Sequence, residues 1–356
     1  MEYIKLPLIC NLKQWKTIPT KELVDSGYPV YGANGIIGFY HQFNHTEATV
    51  MICCRGATCG AINISAEKCY INGNAMCLDN LSKEFDIHFI AYFLKHFNWT
   101  KIITGTAQPQ ITQIGLSGVL VPKIPLKEQQ KIVAELDNIE EGIRVKEEQL
   151  KTLDELIQSR FTEMFEQQTF EVKPIRALVS DNIKTTKKVF TKDDEIEYID
   201  ISSIDNTQNT ITGTTKYVVA QAPSRAQQHI QYNDILVSTV RPNLKNIAIN
   251  KHTGPNLIAS SGFCVLRAKE CVPEYLLYNV LSNQFTAKMI TLTTGASYPA
   301  IRDNDVLDWT IPVPPLPLQN QFAEFVQKVE KAKEIVKIQI DDLRELLALK
   351  MDEYFR

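Results

Sequence analysis

The stretch Thr104-Gly105-Thr106-Ala107-Gln108-Pro109-Gln110-Ile111 returns 190 residues later as Thr294-Gly295-Ala296-Ser297-Tyr298-Pro299-Ala300-Ile301. The register then holds without a gap. Val121-Pro122-Lys123-Ile124-Pro125-Leu126 falls on Ile311-Pro312-Val313-Pro314-Pro315-Leu316, and Gln129, Leu153, Leu156 and Phe165 fall on Gln319, Leu343, Leu346 and Phe355. Residues 104–165 therefore repeat as 294–355, and self-similarity of this kind marks a duplicated structural unit. A weaker match at an offset of 155 joins Trp15 to Phe170 and Leu23-Val24 to Leu178-Val179, and one at 186 joins Arg55 to Arg241. The offset grows by 31, which predicts an insertion in the second copy within 185–217.

Downstream of the prolines, each copy carries a heptad pattern. Ile132, Leu136, Ile139, Ile143, Lys146, Leu150, Leu153, Ile157, Arg160 and Met164 step by four and three, as do Phe322, Val326, Val329, Lys333, Val336, Ile340, Leu343, Leu347, Lys350 and Tyr354. A seam sustained over five heptads predicts a long helix that needs a partner. At 1.5 Å per residue each helix would be a rod of roughly 58 Å. The other copy is the nearest partner, and Lys146 against Val336 and Ile143 against Lys333 would fix register by placing a charge differently in each seam. Prolines just ahead of each helix suit a first turn and would break an interior.

The intervening regions read as strand-rich. Ala48–Ile52, Ile196–Ile201, Asp234–Val240 and Cys264–Arg267 are full of β-formers, and Tyr28-Pro29-Val30-Tyr31-Gly32-Ala33-Asn34-Gly35-Ile36-Ile37-Gly38 is turn punctuation between apolar runs. Helices are expected over His88–Phe97 and Glu274–Phe285, each ahead of a Thr-Gly element.

With 356 residues, 44% hydrophobic and 22% charged, the chain has the length of two or three folded domains and the composition of a globular protein. No apolar run reaches membrane-spanning length and Met1–Cys10 lacks a signal-peptide pattern, so a cytoplasmic protein is expected. The eight cysteines contain no C-x-x-C pair, which disfavours zinc, and most stand among aliphatic residues as small buried hydrophobes. His41 and His45 are four apart in an expected solvated loop. Phosphate-loop, dinucleotide, zinc-protease and serine-hydrolase motifs are absent, as is an Asn/Asp-Pro-Pro-aromatic tetrapeptide. Cys54-Arg55-Gly56-Ala57-Thr58-Cys59 is the one candidate nucleophile loop. No catalytic, cofactor-binding or metal residue is assigned.

The net charge is −3, but the two helices carry −4 and −1, leaving +2 on the rest. Its basic residues cluster: Arg225, Arg241, Lys245, Lys251 and Arg267 in the second copy, Arg55, Lys68 and Lys101 in the first. They alternate with Asn, Gln, Ser and Tyr, the types that read base edges and grip phosphate.

The repeated module, Gly105 through Pro109-Gln110-Ile111 and Val121-Pro122-Lys123-Ile124-Pro125-Leu126-Lys127-Glu128-Gln129-Gln130 into the helix, with its second copy from Gly295 to Phe322, resembles the specificity subunit of type I restriction–modification systems. The openings Tyr28–Gly38 and Tyr198-Ile199-Asp200-Ile201-Ser202-Ser203-Ile204-Asp205 are similar to those of the family's recognition domains.

The resemblance implies an α+β fold: two mixed α/β target recognition domains, 1–125 and 166–315, joined by two long antiparallel heptad helices, 126–165 and 316–356, in a pseudo-twofold tandem duplication. It implies a non-catalytic subunit that reads a bipartite, asymmetric double-stranded DNA target, one domain per half-site, with the coiled coil setting the gap. Adenine methyltransferase subunits and a restriction/translocase subunit would be the partners. S-adenosylmethionine, ATP and Mg are expected there and no cofactor in this chain. The residues expected to contact DNA are Asn34, Arg55, Asn74, Lys101, Arg225, Arg241, Asn243 and Lys245, with Arg55 and Arg241 at matched positions. The alternatives are a non-catalytic coiled-coil scaffold with β-rich binding domains, a specificity subunit serving a fused methylase-nuclease, and an enzyme built on Cys54.

Overall fold

The two heptad patterns become uninterrupted helices, Leu126–Phe165 and Leu316–Phe355, in the computed structural model, which describes residues 2–32, 34–105, 108–295 and 298–356. Met1 and, from the motifs quoted above, Ala33, Thr106, Ala107, Ala296 and Ser297 lie outside the described residues. Each helix starts on a proline carbonyl. Pro125 O accepts from the amides of Glu128 and Gln129, and Pro315 O from those of Leu318 and Gln319.

The chain divides into two compact units, 1–148 with 336–356, and 149–335. Each holds one mixed globular region and a piece of both long helices, and in each the pieces run antiparallel. In the first unit Lys350 Nζ lies 3.0 Å from Glu135 and Arg344 2.8 Å from Glu147. In the second, Lys333 Nζ lies 2.7 Å from Asp154, and the Phe322 and Phe161 rings meet edge to face at 5.4 Å. The seam positions Leu136, Ile139, Ile157, Val326, Val329, Val336 and Ile340 are buried, so the expected partnership of the two copies' helices is present in both units. Among the described residues no helix is long and apolar enough to cross a membrane.

In the first unit four antiparallel strands lie in the order Asn11–Lys13, Ala75–Asp79, Val50–Cys53, Ile62–Ile64, beside a three-stranded sheet of Gly35–Tyr40, Tyr28–Gly32 and Tyr70–Ile71. Helix Ile87–His96, capped by the Asp86 carboxylate on the amides of His88 and Phe89, packs Phe89, Ile90 and Phe93 into a core with Ile52, Leu78, Leu116 and Leu136. The second unit has a four-stranded sheet, Thr215–Val218, Glu195–Ile199, Leu257–Ser260, Ala226–His229, and a three-stranded one, Ile247–Ile249, Ile235–Ser238, Phe263–Leu266. The helix expected over 274–285 is two, Pro273–Leu281 and Asn283–Thr291. Ser282 between them is extended (φ −60°, ψ 148°) and its hydroxyl caps the amide of Phe285, a role Ser fills better than an interior helical position.

A buried glutamine ties each globular region to its long helix. Gln129 Oε1 accepts from Asp86 N (2.8 Å) and its Nε2 donates to Glu84 O and Ile124 O. Gln319 repeats this with Val272 N (2.9 Å) and Pro314 O (2.7 Å).

Backbone pairing corrects the weaker part of the sequence alignment. Leu6 N donates to Val119 O and Ile175 N to Trp309 O. Val119 and Trp309 stand 190 apart, so Leu6 matches Ile175 at an offset of 169, and the 155 register of Trp15 with Phe170 does not exist in the fold. Further on, Ile111 N donates to Cys54 O and Ile301 N to Thr239 O, which fixes an offset of 185. The offset grows from 169 to 185, a net insertion about half that expected. The two-stranded hairpin Ile204–Asp205 with Thr210–Ile211 lies within the stretch where the change was placed.

Candidate nucleic-acid interface

In the first unit four connections converge at one end of the two sheets. Asn34 stands in the turn joining Tyr28–Gly32 to Gly35–Tyr40. The next turn is held to it by Asn72 N donating to Tyr31 O, and carries Asn74, whose carbonyl accepts from Cys54 N. Arg55 pairs as an isolated bridge with Gln110 of the repeated Gly loop. Lys101 ends the turn Trp99–Lys101, and the Trp99 ring lies so close to Gly60 that a Cβ there would meet it at 3.0 Å. Asn34, Arg55, Asn74 and Lys101 are all exposed. Among the described residues neither Arg55 nor Lys101 makes an ion pair.

The second unit gathers an equivalent set. Arg225 O accepts from Ser261 N, Gly262 O accepts from Thr239 N, and Arg241 N donates to Pro299 O at 2.7 Å. Arg241, Asn243 and Lys245 occupy the link between Ile235–Ser238 and Ile247–Ile249. The extra hairpin braces this link through Asn206 Nδ2, which donates to Leu244 O at 2.7 Å. Lys245 is half-buried, its Nζ 2.8 Å from Asn283 Oδ1, while Arg225, Arg241 and Asn243 are exposed. The geometry thus brings the four expected residues of each unit to one end of that unit.

The pairing of Arg55 with Arg241 is off by one. Gly56 N donates to Pro109 O as Arg241 N donates to Pro299 O, so Arg241 corresponds to Gly56 and Arg55 to Val240. Both Gly56 (φ +85°) and Arg241 (φ +50°) adopt the left-handed conformation this junction requires, which Gly adopts freely and an L side chain adopts under strain. The repeated loop itself turns on Gly105 and Gly295, with φ of +86° and +93°. A Cβ would meet the carbonyl oxygen of Gln108 at 2.6 Å or of Tyr298 at 3.1 Å.

Two members of the expected basic cluster are committed to the fold. Arg267 forms a fork on the buried Asp234 carboxylate at 2.9 and 2.7 Å, and Lys251 pairs with Glu274 at 3.2 Å. Tyr298, which the sequence offers with Gln108 as a possible DNA contact but which reads more simply as part of the loop that sets the entry to the long helix, is 71% exposed, and its ring lies 5.0 Å from the Arg241 guanidinium. Its place in the repeated loop, opposite Gln108, was the available signal.

His45 is not in a solvated loop. It is 7% exposed, its Nε2 lies 3.0 Å from Asp79 Oδ1 and its Nδ1 2.6 Å from Asn44 Oδ1. Cys77 joins His45 and Asp79 within 4.8 Å. Both Asp79 oxygens are engaged, the second by Trp15 Nε1 at 3.0 Å, and burial pushes the Cys77 thiol far up, so the group reads as a hydrogen-bond network of Asn44, His45, Asp79 and Trp15 with a neutral thiol beside it. Burial likewise raises the Cys54 thiol, against the hydrogen bond from Gln14 and the charge of Arg55, which disfavours the thiolate a nucleophile needs.

A family model described as type I restriction modification DNA specificity domain matches residues 1–155 and again 167–344. No curated protein sequence matches significantly. Among solved structures, the HsdS subunit from Thermoanaerobacter tengcongensis is 30% identical over 49% of this chain, with a TM-score of 0.42. The match spans 46% of that protein, so this chain aligns with about half of it. A structure described as the basis of complex assembly and conformational transition of the type I R-M system is 33% identical over 50% of this chain and 44% of that one, TM-score 0.39. The type I restriction-modification S subunit from M. genitalium is 15% identical over 98% of this chain and 95% of that one, and its TM-score of 0.58 shows a shared fold.

Proposed function

The chain belongs to the type I restriction modification DNA specificity domain family, and from that premise we propose that it is the non-catalytic specificity subunit of a type I restriction–modification complex. Each unit reads one half of a bipartite, asymmetric target in double-stranded DNA, and helix length governs the number of bases between the half-sites.

The observation that carries this reading is the convergence, in each unit, of separate loops on one end of the sheets, where Asn34, Arg55, Asn74 and Lys101, or Arg225, Arg241, Asn243 and Lys245, stand together. Loops on a rigid scaffold are where recognition residues are placed, and Arg and Asn forks match the edges of guanine and adenine. A net charge of −3, with the basic excess confined to the regions outside the long helices, suits a subunit that shares DNA with others. Adenine methyltransferase subunits are proposed to dock on the long helices, whose outer faces expose Val145, Leu156, Leu346 and Leu349 among Glu and Lys. A restriction/translocase subunit completes the assembly, with S-adenosylmethionine, ATP and Mg bound by these partners, and the cytoplasm is its proposed location.

The test is methylome sequencing of cells expressing this chain with its methyltransferase subunit, against the methyltransferase alone. A bipartite adenine-methylated motif that requires this chain is expected. A stable complex that produces no new motif refutes the reading and favours a scaffold.

A further inference from the structure

The two units differ most sharply at the junction where the strand-end loop meets the repeated Gly loop. The first unit has Gly56 and Gln108 there, and the second has Arg241 and Tyr298. Arg241 is held in the left-handed conformation (φ +50°, ψ 62°) immediately before Pro242, a position where the proline ring further narrows the backbone. Its amide is fixed on Pro299 O and the neighbouring Val240 pairs with Ala300. Its guanidinium lies 5.0 Å from the Tyr298 ring centroid. Among the described residues no carboxylate pairs with it, and the residue is exposed, so its donors are open to a ligand while its backbone is fixed.

We propose that Arg241 is the specificity-determining residue for a guanine in the half-site met by the second unit, and that Tyr298 is a positioning residue that holds its guanidinium in plane. This inference rests on the DNA-reading role above. An arginine fork donates two hydrogen bonds to guanine O6 and N7 in the major groove, and stacking on an aromatic face leaves the fork's edge free while limiting its orientations. A preset side chain loses less freedom on binding. The strained backbone is then the cost of aiming the fork. The first unit, with Gly at that position, reads its half-site by other residues.

The test is the methylome of the same co-expressed complex with single variants. Arg241→Lys keeps the charge and loses the fork, so one G·C position in one half-site should become degenerate, discrimination falling on the order of tenfold, while the other half-site stays unchanged. Tyr298→Ala should relax the same position to a lesser degree, and Tyr298→Phe, which keeps the ring, should leave the motif intact. Should Arg241→Lys abolish methylation altogether, binding of the purified Arg241→Lys complex to duplexes carrying each base pair at that position takes its place as the readout. A motif that Arg241→Lys leaves unchanged overturns the proposal, as does an equal loss on all sequences, which would make the arginine a phosphate contact. Tyr298→Phe as harmful as Tyr298→Ala overturns the positioning role. A wild-type complex that yields no motif instead removes the reading underneath, and the assignment falls with it.

Discussion

The two units share the buried amide and the backbone pairings that anchor their loops, and differ in the side chains exposed at the loop end. Gln129 and Gln319 make the same kind of staple at the start of the long helices, Thr104 and Thr294 bridge Gln110 and Ala300 in the same way, and Ile111 and Ile301 donate to matched carbonyls. At the open end, by contrast, Arg241 stands at the position equivalent to Gly56 and Tyr298 at that equivalent to Gln108, and the second unit adds a hairpin that braces Leu244. A duplicated scaffold is thus free to vary its reading face, because the atoms that fix the loops belong to the main chain and to one buried amide.

The sharpest way to break this comparison is to remove the staple. Gln129→Ala leaves Asp86 N, Glu84 O and Ile124 O without their side-chain partner; Glu84 is exposed and its carbonyl can turn to water, so at about 1–3 kcal/mol for each of the other two groups the first unit should be destabilised by roughly 2–6 kcal/mol. Gln319→Ala abandons Val272 N and Pro314 O and should cost the second unit a similar amount, roughly 2–6 kcal/mol. Urea unfolding of the full chain checks both. A cost below about 1 kcal/mol in either unit would show that the staple is dispensable.

A smaller pair of changes sharpens the contrast at the junction. Gly56→Ala places a Cβ at positive φ and should destabilise by about 1 kcal/mol. Arg241→Gly should relieve the corresponding strain, raising stability by up to about 1 kcal/mol while relaxing the motif. If both substitutions destabilise equally, the two positions are not equivalent and the one-residue shift between Arg55 and Arg241 is wrong.

That shift shows where sequence reading stops. The long helices were legible because their signal is local: every three or four residues a seam position recurs, and Leu136, Ile157, Val326 and Val336 are buried accordingly. The Gly loop was legible because it is duplicated nearly residue for residue. Arg55 and Arg241 were matched because both are arginines, whereas the register is set by amides and carbonyls, which are blind to side-chain identity. Arg267 and Lys251 looked like part of a DNA-facing cluster, yet the carboxylates that neutralise them, Asp234 and Glu274, stand 33 and 23 residues away. His45 was placed in solvent because Asp79, 34 residues on, gives no sequence signal. The break at Ser282 was readable, since a serine ahead of a new apolar turn is an N-cap.

The smallest effect concerns the charged side chain that, among the described residues, is buried in the helix seam. Lys333 is 5% exposed and pairs with Asp154 at 2.7 Å and Glu330 at 2.9 Å, where the first copy has Ile143. Burial pulls its pKa down, but the hydrogen bonds to Asp154 and Glu330 outweigh it, so the group ends above the ordinary 10.5. A raised folded-state value means that its contribution to stability is fully present below pH 10.5 and fades as the pH climbs through the higher folded value. At neutral pH Lys333→Met exchanges a desolvated charge for apolar packing and leaves two half-exposed carboxylates that water can serve, so stability should change by no more than about 1 kcal/mol, on the gaining side if at all. Above pH 10.5 the variant should pull ahead of wild type, because it has no pair to lose. Unfolding curves of both proteins at neutral pH and above that value check this. A neutral-pH loss of about 3 kcal/mol or more would make the pair a net stabiliser of the seam, and the charge at 333 would then be a device for stability rather than for register.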